Sequence, residues 1–172
     1  VAVSGGVVET GSSTNVTIGG TAAYAGNTIA GNTGDGVIVS NVSIAIVGNS
    51  IWGNSQQGID LGNDGVTLND VGDGDLGANN AQNFPVLSFA AFDLQGIAGT
   101  LHAPASSTYR VEFFRNTVAD GSGYGEGSSF IGSATVTTDT GGTATFFQEF
   151  PAQLAGGEYV TATATDTGDN TS

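Results

Sequence analysis

An acidic, glycine-rich stretch at residues 64–80 carries the residue types best suited to chemistry in this chain of 172 residues. Its carboxylate and amide oxygens are hard donors, and calcium takes roughly six to eight such donors. Its glycines let the backbone curl around an ion. The spacing differs from that of an EF-hand loop, because no glutamate occupies the twelfth position. The sequence therefore predicts Ca²⁺ as a cofactor, with the ligands Asp64, Asn69, Asp70, Asp73, Asp75 and Asn79.

A second interpretation of the same stretch stays open. Asp and Asn next to Gly favour Asx turns, in which the side chain bonds to the backbone a short way along the chain. On this interpretation residues 63–83 form a solvated loop that caps the elements before it, and no ion is required.

The elements that must position this loop are visible upstream as an internal repeat. Residues 26–39 align with residues 48–61 at an offset of 22, without a gap. Within each copy, apolar residues stand two apart and therefore share one face of a strand. Gly-Asn pairs occupy the ends, where turns are tight. Repetition at this period is typical of a solenoid whose coils bury their apolar side chains against one another, so the repeat predicts a short parallel β-helix.

Extending the alignment toward the N-terminus indicates a third, weaker coil. Val7 precedes Ile29 by the same offset of 22, and Val16 precedes Val37 by an offset of 21. The run at 42–46 also alternates and supplies another strand. We therefore expect roughly three coils in all.

Stacked coils should also place asparagines one above another. The alignment sets Asn27 over Asn49 and Asn32 over Asn54. Side-chain amides in such positions form ladders along the turns. We interpret these asparagines as structural.

Residues 84–172 follow a different pattern, in which short alternating runs are separated by turn signals, as is typical of an antiparallel sandwich. The sequence thus divides into a first domain at 1–83, with the capping loop at 63–83, and a second domain at 84–172. The predicted fold class is all-β, with a short parallel β-helix followed by an Ig-like antiparallel β-sandwich. The predicted sandwich strands are 86–92, 96–101, 109–115, 129–138, 143–150 and 158–166.

Several of these segments resemble a known group of proteins. Residues 48–62, 64–70 and 82–87 are similar to secreted bacterial right-handed parallel β-helix repeat proteins of the cell surface, which are pectate-lyase-like. Residues 111–114 and 123–127 resemble the Ig-like sandwich that follows in the same large proteins. The resemblance implies a right-handed helix and an extracellular, cell-surface location. It carries over no catalytic residues.

The residues argue against catalysis. Pectate lyases, as the resemblance implies, use calcium with an Arg or Lys base, and residues 1–83 contain neither Arg nor Lys. A hydrolase would need carboxylates clustered on adjacent coils, but Ile38 stands one coil before Asp60. His102 has no partner that suggests a triad. The sequence therefore predicts a protein that is not an enzyme.

The charge balance limits the partners. Sixteen acidic residues stand against Arg110 and Arg115, for a net charge of -14. That charge argues against nucleic acid and against anionic membranes. No apolar run reaches the roughly 18 residues of a membrane span, so we expect no membrane insertion. The chain lacks cysteine and begins without methionine, so we expect a processed chain or a fragment, secreted from a microbe.

The first residues predict self-association. Residues 1–8 form an uncharged, largely apolar strand, and an uncovered terminal coil leaves backbone groups that template further pairing. A solenoid of so few coils also lacks neighbours to bury its apolar faces. Head-to-tail stacking would pair the free backbone groups and bury the apolar faces, and it gives filaments when no ring closes. The predicted assembly interface is Val1, Val3, Val7, Val8 and Trp52.

Trp52 is the aromatic residue within the two clear repeats. Alternation points it outward, and Ala30 stands at the same place one coil earlier. Two interpretations remain. The indole packs on the acidic loop or on the sandwich, or it serves as a sugar platform or an interface anchor.

Taken together, these features predict a non-enzymatic extracellular structural module for cell-surface adhesion or for self-assembly into filaments. The alternative is a calcium-dependent carbohydrate-binding or carbohydrate-processing domain, with a polysaccharide as its partner.

Overall fold

The structure, a computed structural model, describes residues 5–9, 14–91, 95–151 and 154–172. Over these residues the chain is all-β, as predicted, with one 3₁₀ helix at Ala78–Ala81. Val1 and Val3 of the predicted interface lie outside the described residues, as does residue 92 of the first predicted sandwich strand. The strands are β1 (Gly5–Val8), β2 (Val16–Gly19), β3 (Thr28–Ala30), β4 (Asp35–Val39), β5 (Ile44–Val47), β6 (Ser50–Trp52), β7 (Ile59–Leu61), β8 (Val86–Ala91), β9 (Gly96–His102), β10 (Thr108–Asn116), β11 (Ser129–Thr137), β12 (Thr143–Glu149) and β13 (Tyr159–Asp166).

The first seven strands form three short parallel sheets. Their orders are β1-β4-β7, β2-β5 and β3-β6, so the chain visits the three sheets in turn. Ile29 lies opposite Ile51, and Val37 lies opposite Ile59, both at the repeat offset of 22. The register predicted from the two clear repeats is therefore confirmed.

The first pass through the sheets differs from the prediction. Val7 lies opposite Val37 at an offset of 30, and Val16 lies opposite Ile44 at an offset of 28. The predicted offsets of 22 and 21 for these two residues are therefore wrong. The connection from β2 to β3 takes eight residues, 20–27, whereas β5 and β6 are separated by only two. Those six extra residues account for the increase in pairing offset from 22, between Ile29 and Ile51, to 28, between Val16 and Ile44.

Alternation places the apolar side chains of the parallel strands in a shared interior. Val37, Val39 and Ile44, which belong to β4 and β5, are fully buried there. The backbone packs closely at β4, where a Cβ on Gly36 would lie 2.6 Å from the carbonyl oxygen of Gly58. The buried set is Ile18, Ile29, Val37, Val39, Ile44, Ile46, Ile51 and Leu61.

The last six strands form two antiparallel sheets, in the orders β11-β10-β13 and β12-β9-β8. Every predicted sandwich strand is present, and each described boundary lies within one residue of its prediction. Tyr109, Val111 and Phe113 alternate along β10, so they lie on one face of the strand, and all three are buried. The two sheets share one core, in which the ring centroid of Phe113 lies 5.7 Å from that of Phe146 and 5.1 Å from that of Phe150.

Candidate functional site

The acidic loop is tied to the segment that leads into the antiparallel sheets. The side chain of Asn69 donates to the carbonyl of Phe84 (2.8 Å) and accepts from its N–H (2.9 Å). The side chain of Asn83 binds Asp70 in the same way, accepting from the N–H (2.9 Å) and donating to the carbonyl (3.0 Å). These two pairs of hydrogen bonds fix the backbone of the loop. They also use both the amide nitrogen and the amide oxygen of the Asn69 side chain.

Three carboxylates meet on this loop. One oxygen from each of Asp70, Asp73 and Asp75 lies within 4.8 Å of the others. Asp73 accepts from the N–H of Asn83 (2.7 Å) and from the side-chain amide of Gln82 (2.9 Å). Burial raises the pKa of Asp73 to about 6, and the charges of Asp70 and Asp75 add to the rise. Asp70 also has a buried Oδ1 without a hydrogen-bond partner.

This cluster has the chemistry of a cation site. Three carboxylates this close repel one another when all are ionised. A divalent ion between them would relieve that repulsion, and calcium takes carboxylate oxygens of this kind. The same ion would give the buried oxygen of Asp70 the partner that it lacks.

The other three predicted ligands serve different purposes. Asn79 is fully buried, and its amide binds the N–H (3.0 Å) and carbonyl (2.7 Å) of Ile44 and the carbonyl of Thr171 (2.9 Å). Asn69 holds the loop backbone, and Asp64 lines a separate cleft. The number of oxygen-bearing side chains in this loop does not reveal which of them will bond to backbone groups far away in the sequence. Of the six predicted ligands, the structure brings the carboxylates of Asp70, Asp73 and Asp75 together.

That separate cleft, of about 690 Å³, is a second acidic site. Asp35 and Asp60 are 2% and 3% exposed, and Asp64 and Asp120 line the cleft with them. Burial raises the pKa of Asp60, and the charge of Asp35 adds to the rise. Asp35 could not be recognised from the repeat, because the alignment sets Ile38 opposite Asp60, as the strand register also does.

Backbone groups occupy the oxygens of this buried pair. Asp35 accepts from the N–H of Gln57 one coil on, at 2.8 Å. Asp60 accepts from the N–H of Asp64 (3.2 Å) and of Gly65 (3.0 Å). Each carboxylate therefore holds a turn of the chain in place, as Asp side chains commonly do.

Both predicted amide ladders are present. The side chain of Asn27 donates to Oδ1 of Asn49 at 3.1 Å, and that of Asn32 donates to Oδ1 of Asn54 at 2.7 Å. The same two oxygens also accept the backbone N–H groups of Asn27 (3.0 Å) and Asn32 (3.1 Å). Since Asn49 and Asn54 are buried, these bonds satisfy polar groups that have no water to bind.

The antiparallel region covers the free edges of β5 and β6, which we call the capped end. Ile51 and Gly127 exchange both backbone hydrogen bonds at 2.8 Å. The N–H of Ile46 donates to Oγ1 of Thr171 at 2.9 Å. Groups from far along the chain thus occupy the places where a further coil would have paired.

Two buried glutamates complete the capped end. Glu112 is fully buried, and it accepts from the N–H of Gly48 at 2.7 Å and from Nε of Arg110 at 2.8 Å. Glu126 accepts from the N–H (3.1 Å) and side-chain amide (2.6 Å) of Asn54. Neither glutamate could be recognised from the sequence, because each occupies a position that the local pattern alone assigns to solvent.

In the described part of the chain, no strand pairs with the opposite edges, those of β1, β2 and β3, and we call these edges the open end. Each of these strands pairs on one side only, and no described strand lies on the other. Val8 is 49% exposed on β1, whereas Val7 packs against the interior. Trp52 is 48% exposed but lies on the outer wall, opposite Ala30. Of the predicted interface, the open end contains Val7 and Val8.

None of the helical structure among the described residues has the length and apolar character to cross a bilayer. Comparison with protein-family models found no match, and comparison with curated proteins found no similar chain.

Proposed function

We propose that this chain is a non-enzymatic, extracellular structural module that self-associates head to tail, and that its fold is a short right-handed parallel β-helix followed by an Ig-like sandwich. The contrast between the capped end and the open end carries the proposal. Edge strands with unused N–H and C=O groups favour pairing with another strand. A solenoid coil also depends on neighbours to bury its apolar face.

The receiving surface for the open end is an edge strand of the next molecule's antiparallel region. Stacking on the capped end is blocked, because Gly127 and Thr171 already bind its backbone groups. Among the described strands of that region, β8, β11, β12 and β13 each lie at the edge of a sheet. A contact between the open end and one of these edges joins two different surfaces, so it propagates into a filament. The net charge of -14 opposes assembly, so salt should promote it.

A proline in β2 tests this contact. Val16 and Gly20 donate their N–H groups inward, to the carbonyls of Ser43 (3.1 Å) and Val47 (2.8 Å). Alternation therefore turns the N–H of Thr17 toward the open edge. Thr17→Pro removes that outer donor and keeps the inner bonds.

In concentrated, high-salt solution we expect filaments of the wild-type chain by electron microscopy and sedimentation, and monomers of Thr17→Pro. The control Val118→Ser, at a position 76% exposed outside the strands, should assemble like the wild type. A wild-type chain that stays monomeric contradicts the proposal. A closed dimer contradicts the head-to-tail contact, because it requires one surface to pair with itself.

We also propose that the chain has no lyase or hydrolase activity on acidic polysaccharides. The absence of Arg and Lys from residues 1–83 supports this, as do the backbone bonds that occupy Asp35 and Asp60. Release of unsaturated sugars from pectate or alginate by the wild type, lost in Asp60→Asn, would contradict it.

The second candidate function is calcium-dependent carbohydrate binding. The unpartnered Oδ1 of Asp70 beside Asp73 and Asp75 favours the binding of calcium. The half-exposed indole of Trp52 supplies an aromatic surface for a sugar. Retention on immobilised pectate that requires calcium and is lost in Trp52→Ala would support this function. Retention that survives both a chelator and that substitution would contradict it.

A further inference from the structure

A cavity of about 320 Å³ lies where the apolar interior of the parallel sheets meets the antiparallel region. Ile51, Ile59 and Leu61 of the last coil line one side, and Phe114 and Thr163 of the antiparallel region line the other. A further coil would have filled this space with its own side chains. The antiparallel region covers the edges of β5 and β6 but leaves a space of ligand size, since ligand pockets begin at about 300 Å³.

One polar atom at this cavity has no partner. Thr163 lines the cavity and lies opposite Glu112 on the neighbouring strand. The Oγ1 of Thr163 is buried without a hydrogen bond, whereas the carboxylate of Glu112 binds Arg110 and Gly48. A buried hydroxyl that binds nothing costs stability. A ligand that bonds to Thr163 would remove that cost.

The lining selects against anions. Among the described residues that line the cavity, Glu126 is the one charged side chain, and none is Arg or Lys. The net charge of -14 also repels anions from the whole molecule. Two aromatic rings of the lining, Phe84 and Tyr124, meet edge to face at 5.8 Å. Tyr124 is 42% exposed, so this pair marks the solvent side of the cavity.

We propose that this cavity binds a compact, uncharged and mostly apolar small molecule that forms one hydrogen bond with Thr163. The apolar walls supply the affinity, and the unpartnered hydroxyl of Thr163 supplies the orientation. This binding goes beyond the proposed assembly. The cavity lies against the capped end, whereas the open end lies on the opposite edges of the parallel sheets. Of the edge strands that could receive the open end of another molecule, β8 contributes Val86 and Leu87 to the cavity lining.

The probe for this test is N-phenyl-1-naphthylamine, an uncharged two-part aromatic molecule with one N–H donor. We expect its fluorescence titration against the full chain to show one molecule bound per chain. 1-Anilinonaphthalene-8-sulfonate has the same rings with an added sulfonate, and we expect it to bind at least about tenfold more weakly. Equal or tighter binding of the sulfonate would overturn the assignment of an uncharged ligand.

Two substitutions of Thr163 locate the bound probe. Thr163→Phe fills the cavity, and we expect it to weaken binding by about tenfold or more. Thr163→Val keeps the shape but removes the hydroxyl, and we expect binding to weaken by about fivefold. Because Thr163→Val leaves no hydrogen bond broken in the folded chain, it tests the proposal even where Thr163→Phe fails to fold. Unchanged affinity in Thr163→Val, or in a folded Thr163→Phe, would overturn the proposal.

The matched control concerns an exposed aromatic patch elsewhere. Phe89 and Phe147 lie on either side of Ala98 across the β12-β9-β8 sheet, and they are 43% and 53% exposed. A fluorescent dye can bind such a patch without entering a cavity. We expect Phe147→Ser to bind the probe like the wild type. Loss of binding in Phe147→Ser would place the probe on this patch and overturn the proposal.

Discussion

The two ends of the parallel sheets both present strand edges but are finished differently. At the capped end, backbone groups of residues 46–51 bind Gly127, Thr171 and Glu112. At the open end, β1, β2 and β3 have no strand beside them among the described residues. A repeat unit supplies edges for another unit and no means of ending the stack. The capped end therefore depends on residues that lie outside the repeat. Its contribution to the free energy of unfolding can be measured separately from that of the repeated strands.

Removing the buried carboxylate of the cap should have the largest effect. Glu112→Ala leaves the N–H of Gly48 without its bond and Arg110 without its ion partner. We expect a loss of about 4 kcal/mol in the free energy of unfolding, measured by denaturant titration with Trp52 fluorescence. The control is Glu158→Ala, whose carboxylate lies 4.0 Å from Arg115 at the surface. We expect it to lose less than about 1 kcal/mol, and equal losses would argue against a cap held by Glu112.

The amide ladder should show the same contrast between its two members. Asn54→Ala, next to the cap, removes partners of Asn32 and of the buried Glu126, so we expect a loss of about 3 kcal/mol. Asn32→Ala, nearer the open end, removes donors only, and we expect a loss of about 1 kcal/mol. Thermal and urea unfolding of both variants would measure the difference. If Asn32→Ala lowered the free energy of unfolding more than Asn54→Ala does, the expected contrast between the two ends would be contradicted.

Calcium should stabilise the loop that leads from the parallel sheets into the cap. We expect millimolar calcium to raise the Tm of the wild type by several degrees, or about 2 kcal/mol, and a chelator to reverse the rise. Asp70→Asn should abolish the response. Asp64→Asn makes the same charge change but lies outside the cluster, so it should respond like the wild type. A Tm that calcium leaves unchanged would contradict the metal site.

The smallest expected effect is the pH dependence contributed by Asp73. Its pKa is raised from 3.8 to about 6 by burial and by neighbouring charges, so the folded chain holds this proton more tightly than the unfolded chain does. The stability that Asp73 contributes is therefore present below about pH 4 and is lost as the pH rises through about 6. In chelator, the wild type should lose stability relative to Asp73→Asn over this window, by less than about 1 kcal/mol. Unfolding curves at pH 4 to 7 would measure this loss. A difference in free energy of unfolding between the wild type and Asp73→Asn that stays constant over this pH range would contradict the prediction.

Features that depend on neighbours along the chain could be predicted from the sequence. Alternation in β10 places Tyr109 and Phe113 on one buried face, and the repeat places Ile29 beside Ile51. Both follow from the strand period of two and from a constant coil length. The register of the first coil could not be predicted, because its longer connection changes the coil length without any mark in the apolar pattern.

Features of the candidate site that depend on distant residues could not be predicted. Asn79 lies in an acidic loop that suggests a metal ligand, but its amide binds Thr171, far along the chain. Glu112 follows the strand alternation of a solvent-facing residue, yet it is fully buried against Gly48. Asp35 occupies a coil corner and binds backbone one coil on. In each case a through-space partner decides the role of the side chain.

The bond between Ile46 and Thr171 has a consequence for synthesis of the chain. The two residues are 125 positions apart, and a ribosome adds about 5–20 residues per second. The strand β5 therefore leaves the ribosome on the order of ten seconds before the residue that covers its edge. During that interval the outer edge of β5 lacks this partner. The parallel sheets should thus reach their final stability only once Thr171 has been synthesised and has folded back onto β5.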